Sequence, residues 1–412
     1  MTVLQSGNWL SVKSSSQFMT KGSSHELASL LFTEVVRYST LTLKKPVWAL
    51  LLDRQTAFDS TLKEFVIPAV FDAMISNGVV VDQSVVYLAN RLANRKTYLQ
   101  YEHETLGPID DNAGVEQGGI PSSEEYQLVS NSEVNALNES NLGVDVGAGT
   151  VACIAAADDE VVLSDSPHSL QSLLNLAQMF CRDTCMKLVP SKTHLLLFSI
   201  RNSKDFDYWS LINPIVMNGS RLPFSDTAEH VGVVRCASGS NLPAVTSRIA
   251  AHRKSIFHVL ACGGARSHRG NPAASLAVKK LYSAPTLYSG LASLVLSRGE
   301  LEAVSYHQKR CLERLQKLLP RTPSCAIMFL SGSLPAKALL DMKRLSLLGM
   351  ISRLEKKNKL VSQAIFALHH QIKSSWFTEV RELCRLYSLP DPLIVSVILQ
   401  LRIPGRRLSR LK

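Results

Sequence analysis

The sequence of 412 residues predicts an α+β front half joined to a mostly α-helical back half. Short apolar runs bounded by polar residues mix with helical patterns up to about residue 235, and from Leu242 onward the helical period dominates. The charge changes sign at the same place. Residues 1–235 hold 17 Lys+Arg and 26 Asp+Glu, whereas residues 236–412 hold 28 and 8. The whole chain carries a net charge of +11.

Each element has a local reason. Glu26–Tyr38 reads as an amphipathic helix. Pro46–Leu52 is continuous and apolar, so it reads as a strand buried on both faces and ending at Asp53. Val151–Ala155 and Glu160–Ser164 form a hairpin through Ala156-Ala-Asp-Asp159. Ser166 then caps a helix with Pro167 at its first position, and Leu170, Leu173, Leu174, Ala177 and Cys181 share one face. His194–Phe198 is a further strand. In the back half, Thr246–Leu260 and Leu301–Leu319 read as helices. Arg310, Arg314 and Lys317 form a basic stripe on the second, with Cys311, Leu315 and Leu318 on another face. Polar, proline-bearing stretches at 236–243 and 320–324 divide the chain into 1–235, 236–322 and 323–412. The last eleven residues are a basic tail.

Composition narrows the class. Only 19% of residues are charged and 46% are hydrophobic, which argues against disorder. The eight cysteines are scattered without a C-x-x-C pair and read as reduced, mostly buried thiols. There is no secretory pattern and no apolar run near the roughly 18 residues that span a bilayer. A soluble, intracellular protein without a membrane partner is the expectation. An acidic front and a basic back suit a chain that holds cations in one place and a polyanion in another; a solvated basic surface explains the charge equally well.

Three acids stand out by position. Asp53 closes a buried strand, and Asp158 and Asp159 occupy a hairpin tip. Carboxylates at the ends of adjacent strands can converge and hold two divalent cations about 3.5–4 Å apart, as in-line phosphoryl transfer requires. Magnesium suits such a site, because it takes few protein carboxylates and keeps positions open for phosphate oxygens. Taken singly, Asp-Asp in a turn is ordinary turn chemistry.

The set has an order. Asp53-Arg-Gln-Thr-Ala-Phe-Asp59 is followed by Gly114-Val-Glu-Gln-Gly-Gly-Ile-Pro-Ser122, Ala156-Ala-Asp-Asp159, Leu188-Val-Pro-Ser-Lys-Thr193 and His230-Val-Gly232. This series resembles the reverse transcriptases of non-LTR (LINE-type) retrotransposons, from about Gln17 to the end, including Leu347-Leu-Gly-Met-Ile-Ser-Arg353. The resemblance implies a right-hand polymerase: a palm with partial fingers over 1–235, a helical thumb over 236–322 and a helical C-terminal region over 323–412. It implies an RNA-directed DNA polymerase using two Mg²⁺ ions, an RNA template, a DNA primer and deoxynucleoside triphosphates, with work on chromosomal DNA in the nucleus. Asp53, Asp158 and Asp159 would be the catalytic, metal-holding acids. Phe58 would stand beneath the incoming sugar and exclude a 2′-hydroxyl; packing in the core is the competing role. Gln117 and Gly118 match the Q-G motif beside the nucleotide, and Lys192 matches the lysine near the triphosphate. Arg310, Arg314 and Lys317 would contact nucleic-acid phosphates.

The chain departs from the pattern in three places. Ala156 stands where the family has an aromatic ring, which is expected to leave a gap beside the acids. Glu116 and Pro121-Ser122-Ser123 replace the commoner Arg and Ser-Pro around Q-G. The resemblance begins inside the fingers, at Gln17-Phe-Met-Thr-Lys-Gly-Ser23, so a truncated copy is expected. The alternative function is a catalytically inactive remnant that binds nucleic acid through its basic half.

Overall fold

The computed structural model describes residues 16–18, 23–76, 83, 86, 90, 96–110, 114–115, 122–198, 212–259, 272–354 and 358–392. In chain order the front half holds α1 (His25–Arg37), β1 (Val47–Leu52), α2 (Ala57–Ser60), α3 (Lys63–Ser76), β2 (Lys96–Tyr101), β3 (Glu104–Asp110) and α4 (Ser122–Glu139). There follow β4 (Val144–Asp145), β5 (Thr150–Val151), β6 (Cys153–Ala156), β7 (Asp159–Ser164), α5 (Pro167–Asp183) and β8 (His194–Phe198). Two small hairpins come next: β9 (Val216–Met217) with β10 (Ser220–Arg221), and β11 (Thr227–His230) with β12 (Val233–Cys236). The back half is helical: α6 (Leu242–Val259), α7 (Pro272–Val278), α8 (Ala284–Tyr288), α9 (Arg298–Leu315), α10 (Ser324–Ser331), α11 (Ala336–Ile351), α12 (Lys359–His369) and α13 (Trp376–Leu386).

The centre is an antiparallel sheet of order β6-β7-β1-β8. All six β1 residues are buried, as a strand with covered faces requires. Period-two alternation divides the sheet residues between two cores. Trp48, Leu50, Leu52, Cys153, Ala155, Val162, Leu195 and Leu197 join a core with residues of α3, α4 and α5. Val47, Ala49, Leu51, Ile154, Ala156, Val161, Leu163, Leu196 and Phe198 join another with α1 and the C-terminal helices α11, α12 and α13. A short segment covers the β6 edge, where Phe18 N–H donates to the Ala155 carbonyl and Ala155 N–H to that of Ser16.

The local signals hold in place. The Ser166 hydroxyl accepts from the Ser169 N–H at 3.1 Å, and Pro167 opens α5. Its buried stripe is Leu170, Leu173, Leu174, Ala177 and Cys181. In α1, Leu27, Leu30, Leu31 and Val35 are buried. The α1 residue Glu34 reaches the C-terminal helices: its carboxylate accepts from the Ser375 hydroxyl and from the Trp376 N–H at the start of α13.

One expectation is corrected. The α9 helix stops at Leu315, so Lys317 does not continue the stripe of Arg310 and Arg314. Lys317 takes a left-handed conformation (φ 55°), and the Leu318 N–H bonds back to the Glu313 carbonyl at 2.9 Å. This 6→1 closure, with Pro320 two residues on, ends the helix. A third cluster ties the halves together, joining Val233 of β12 to Val245, Leu287, Leu291, Val304 and Leu340. Among the described residues, no single helix is long and apolar enough to cross a membrane.

Candidate active site

The register of β1 and β7 decides where the acids go. Leu52 pairs with Glu160, so one further residue sets Asp53 across from Asp159. By the alternation of Ala49, Leu51, Val161 and Leu163, Asp53 and Asp159 lie on the α1-covered face. Asp158 sits beside them in the two-residue turn with Ala157, whose φ of 61° lets the chain reverse between Ala156 and Asp159. Asp53, distant in sequence from the Asp158-Asp159 pair, therefore shares one corner of the sheet with it.

Their fields overlap. The Asp159 carboxyl is raised above its usual value, first by partial burial and then by the Asp158 charge, with Glu229 and Asp53 adding to the rise and His25 opposing it. Glu229 of β11 and His25 at the start of α1 thus belong to the surroundings. The Oδ1 atom of Asp53 is enclosed yet makes no hydrogen bond, and Lys192 Nζ stands 4.0 Å from it.

The segment Leu188–Thr193 is docked onto the Asp53 strand end. Gln55 N–H donates to the Lys187 carbonyl at 2.9 Å, and Val189 N–H to that of Asp53 at 3.0 Å. The Asp53 N–H points to Thr193 Oγ1 at 3.4 Å, and that hydroxyl donates to the Val189 carbonyl. These bonds hold Lys192 beside Asp53, although its own side chain is 67% exposed.

Beneath the corner lies an ion cluster that sequence reasoning missed. Arg54 is buried and bonds Glu133 of α4 at 2.5 Å and Glu160 at 2.7 Å, while donating to the Tyr126 hydroxyl at 3.3 Å. Burial works against the Arg54 charge, but Glu133 and Glu160 hold the guanidinium protonated well above its ordinary range. Burial pushes the Glu133 carboxyl well up, with Arg54 opposing and Glu160 assisting. The Cys153 thiol faces Glu160 Oε1 at 3.1 Å. The available signal was an Arg directly after the strand-end acid and a Glu directly after Asp-Asp.

The remaining expected residues divide. Phe58 stacks on Tyr126, with centroids 4.9 Å apart and planes at 30°, and packs against the core while staying partly exposed. Gly114, at φ 91°, brings its backbone against Asp59, and Val115 N–H donates to the Phe58 carbonyl. Gln117 and Gly118 lie outside the described residues. Ala156 is 1% exposed and fully enclosed in the core. The His230-Val-Gly232 segment is the tight turn of the β11–β12 hairpin, with Val231 and Gly232 both at positive φ. Arg310 and Arg314 lie on α9, far along the chain from this corner, and Arg310 is bonded to Glu313 at 2.7 Å.

No protein-family model and no curated protein matches the chain. Among solved structures, it is similar to apo telomerase from Candida tropicalis, with 10% identity and a TM-score of 0.42 over 97% of this chain and 58% of that one. Telomerase from Candida albicans in complex with a TWJ fragment of telomeric RNA gives 9% identity and a TM-score of 0.40, over 92% and 56%. The chain thus spans little more than half the length of these structures.

Proposed function

We propose that the chain is the nucleotidyl-transfer core of an RNA-directed DNA polymerase of the non-LTR retrotransposon type. The observation that carries this reading is the β1–β7 register, which sets Asp53 opposite Asp159 with Asp158 in the adjoining turn. The ordered motifs around these residues support it.

In this reading Asp53, Asp158 and Asp159 would hold two magnesium ions, and an Asp53 Oδ1 that makes no hydrogen bond, with the crowded charge on Asp159, suits oxygen-ligated cations. Bound there, magnesium would activate the primer hydroxyl and neutralise phosphate charge. Lys192 would add a flexible positive charge beside the triphosphate. Phe58, braced on Tyr126, would present its ring edge to the sugar and leave no room for a 2′-hydroxyl. The Arg54 cluster positions Asp53 through its neighbour in the chain.

Primer extension on an RNA template with deoxynucleoside triphosphates and Mg²⁺ tests the reading. Incorporation that disappears in Asp158→Ala and Asp159→Ala is the expected result. Incorporation that survives either change refutes it. The second reading, a binding remnant, is favoured by the 28 Lys+Arg against 8 Asp+Glu in residues 236–412. It expects salt-sensitive nucleic-acid binding without incorporation.

A further inference from the structure

Away from the carboxylate corner, His252 of α6 meets His307 and Cys311 of α9. His252 is 0% exposed and the other two 6%. His252 Nδ1 and His307 Nε2 are 2.9 Å apart, and Cys311 Sγ lies 3.8 Å from the first and 3.5 Å from the second. His307 and Cys311 stand one helical turn apart, which sends both side chains to the same side of α9.

We propose that these three side chains bind a zinc-class divalent ion that fastens α6 to α9. With metal–nitrogen bonds of about 2.0–2.1 Å and a metal–sulfur bond of about 2.3 Å, tetrahedral edges are about 3.3 Å between nitrogens and about 3.5 Å from nitrogen to sulfur. The observed triangle has nearly those edges, so an ion enters with side-chain shifts of a few tenths of an ångström. Two imidazoles and one thiolate are borderline-soft donors, which select zinc over magnesium or calcium. The fourth position is left to water.

Protons balance on binding. Burial keeps both imidazoles neutral, with His252 lowered to about 3 and His307 to about 4, so each ring has one lone pair to give. The proton shared between His252 Nδ1 and His307 Nε2 moves to another nitrogen of the ring that carries it. Cys311 loses its thiol proton to solvent as the metal–sulfur bond forms. Lys279, Arg253 and Arg314 all favour the thiolate, offsetting the burial that otherwise keeps it protonated. The proposal is independent of the polymerase reading, because none of its ligands lies at the carboxylate corner.

The test is metal analysis of the full chain purified from zinc-supplemented cells, followed by replacement with Co²⁺. The expected result is about one zinc per chain and a near-ultraviolet thiolate-to-cobalt absorption band. The band should vanish in Cys311→Ser and persist in Cys325→Ser, whose thiol is exposed elsewhere. A wild-type cobalt spectrum lacking the band, or zinc content unchanged in Cys311→Ser, overturns the proposal. Should Cys311→Ser fail to fold, alkylation of the wild type mapped by mass spectrometry decides. Removing zinc with a chelator should then accelerate modification of Cys311 but not of exposed Cys185, and an unchanged Cys311 rate overturns the site.

Discussion

Arg54 and Glu160, each one step along the chain from an acid of the carboxylate corner, meet 2.7 Å apart beneath the sheet. Glu133 closes on the same guanidinium at 2.5 Å, so one cation serves two buried carboxylates. Removing that cation leaves both without compensation, and Arg54→Met should lower stability by about 3–5 kcal/mol. Glu133→Gln should cost less, because Glu160 stays paired with the guanidinium at 2.7 Å and no buried charge is left without a counter-charge. Urea denaturation of the two variants checks the asymmetry. Equal losses would show that the cluster does not distinguish its members.

Glu34 sets a pH dependence at the opposite side of the sheet. Burial raises its carboxyl to about 7, against the Ser375 and Trp376 donors that favour the charge. The unfolded chain loses this proton near the ordinary value of 4.5, whereas the folded chain keeps it to about 7. Between those values the native state binds the additional proton, so stability falls as pH rises through that window and levels off above it. The span corresponds to about 3 kcal/mol. Glu34→Gln should flatten this part of the profile, measured as thermal midpoints from pH 4.5 to 8. A wild-type midpoint that rises over the window contradicts the assignment.

Much of the central sheet was legible because its signals are short-range. A continuous apolar run, an acidic hairpin tip and a Ser-Pro helix start each act within a few residues. β1 and α5 stand where those signals put them, while the tip read as Ala156–Asp159 tightens to Ala157-Asp158, because Ala156 and Asp159 pair as the last residue of β6 and the first of β7. Cross-chain pairing was not legible in that way. The main partner of Arg54, Glu133, lies 79 positions away, so no local pattern pairs them. The Lys317 stripe followed from extending a helical period past Leu315, where backbone closure overrides it. His252 lies 55 residues before His307, so only packing of α6 on α9 brings the pair together.

Phe58 carries two separable duties. Its ring stacks on Tyr126, whose hydroxyl accepts from Arg54, so truncation loosens the support of the corner. Phe58→Ala should cost about 2 kcal/mol, less than a fully buried ring. Phe58→Val keeps part of the packing but opens space at the sugar, and should raise ribonucleotide incorporation relative to deoxyribonucleotide. Single-nucleotide extension alongside thermal unfolding separates the effects. A stability loss with unchanged sugar discrimination would leave Phe58 as a core residue alone.

The basic residues of α9 are unequal, and salt dependence can rank them. Arg310 is committed to Glu313, which also has Lys309 within 3.8 Å, whereas Arg314 is exposed on the last turn. Deleting one phosphate-binding cation should reduce the slope of log affinity against log salt by about 0.9 on duplex. Arg314→Ala should show that reduction, and Arg310→Ala a smaller one, because its charge is already balanced within the helix. Lys317 offers a control in which stability and binding move in opposite directions. It occupies the left-handed position that glycine favours, so Lys317→Gly should relieve about 1 kcal/mol of backbone strain while removing one cation. A variant that melts higher yet binds with a shallower salt slope would assign Lys317 to the phosphate-binding surface. An unchanged slope in both Arg314→Ala and Lys317→Gly would remove the end of α9 from that surface.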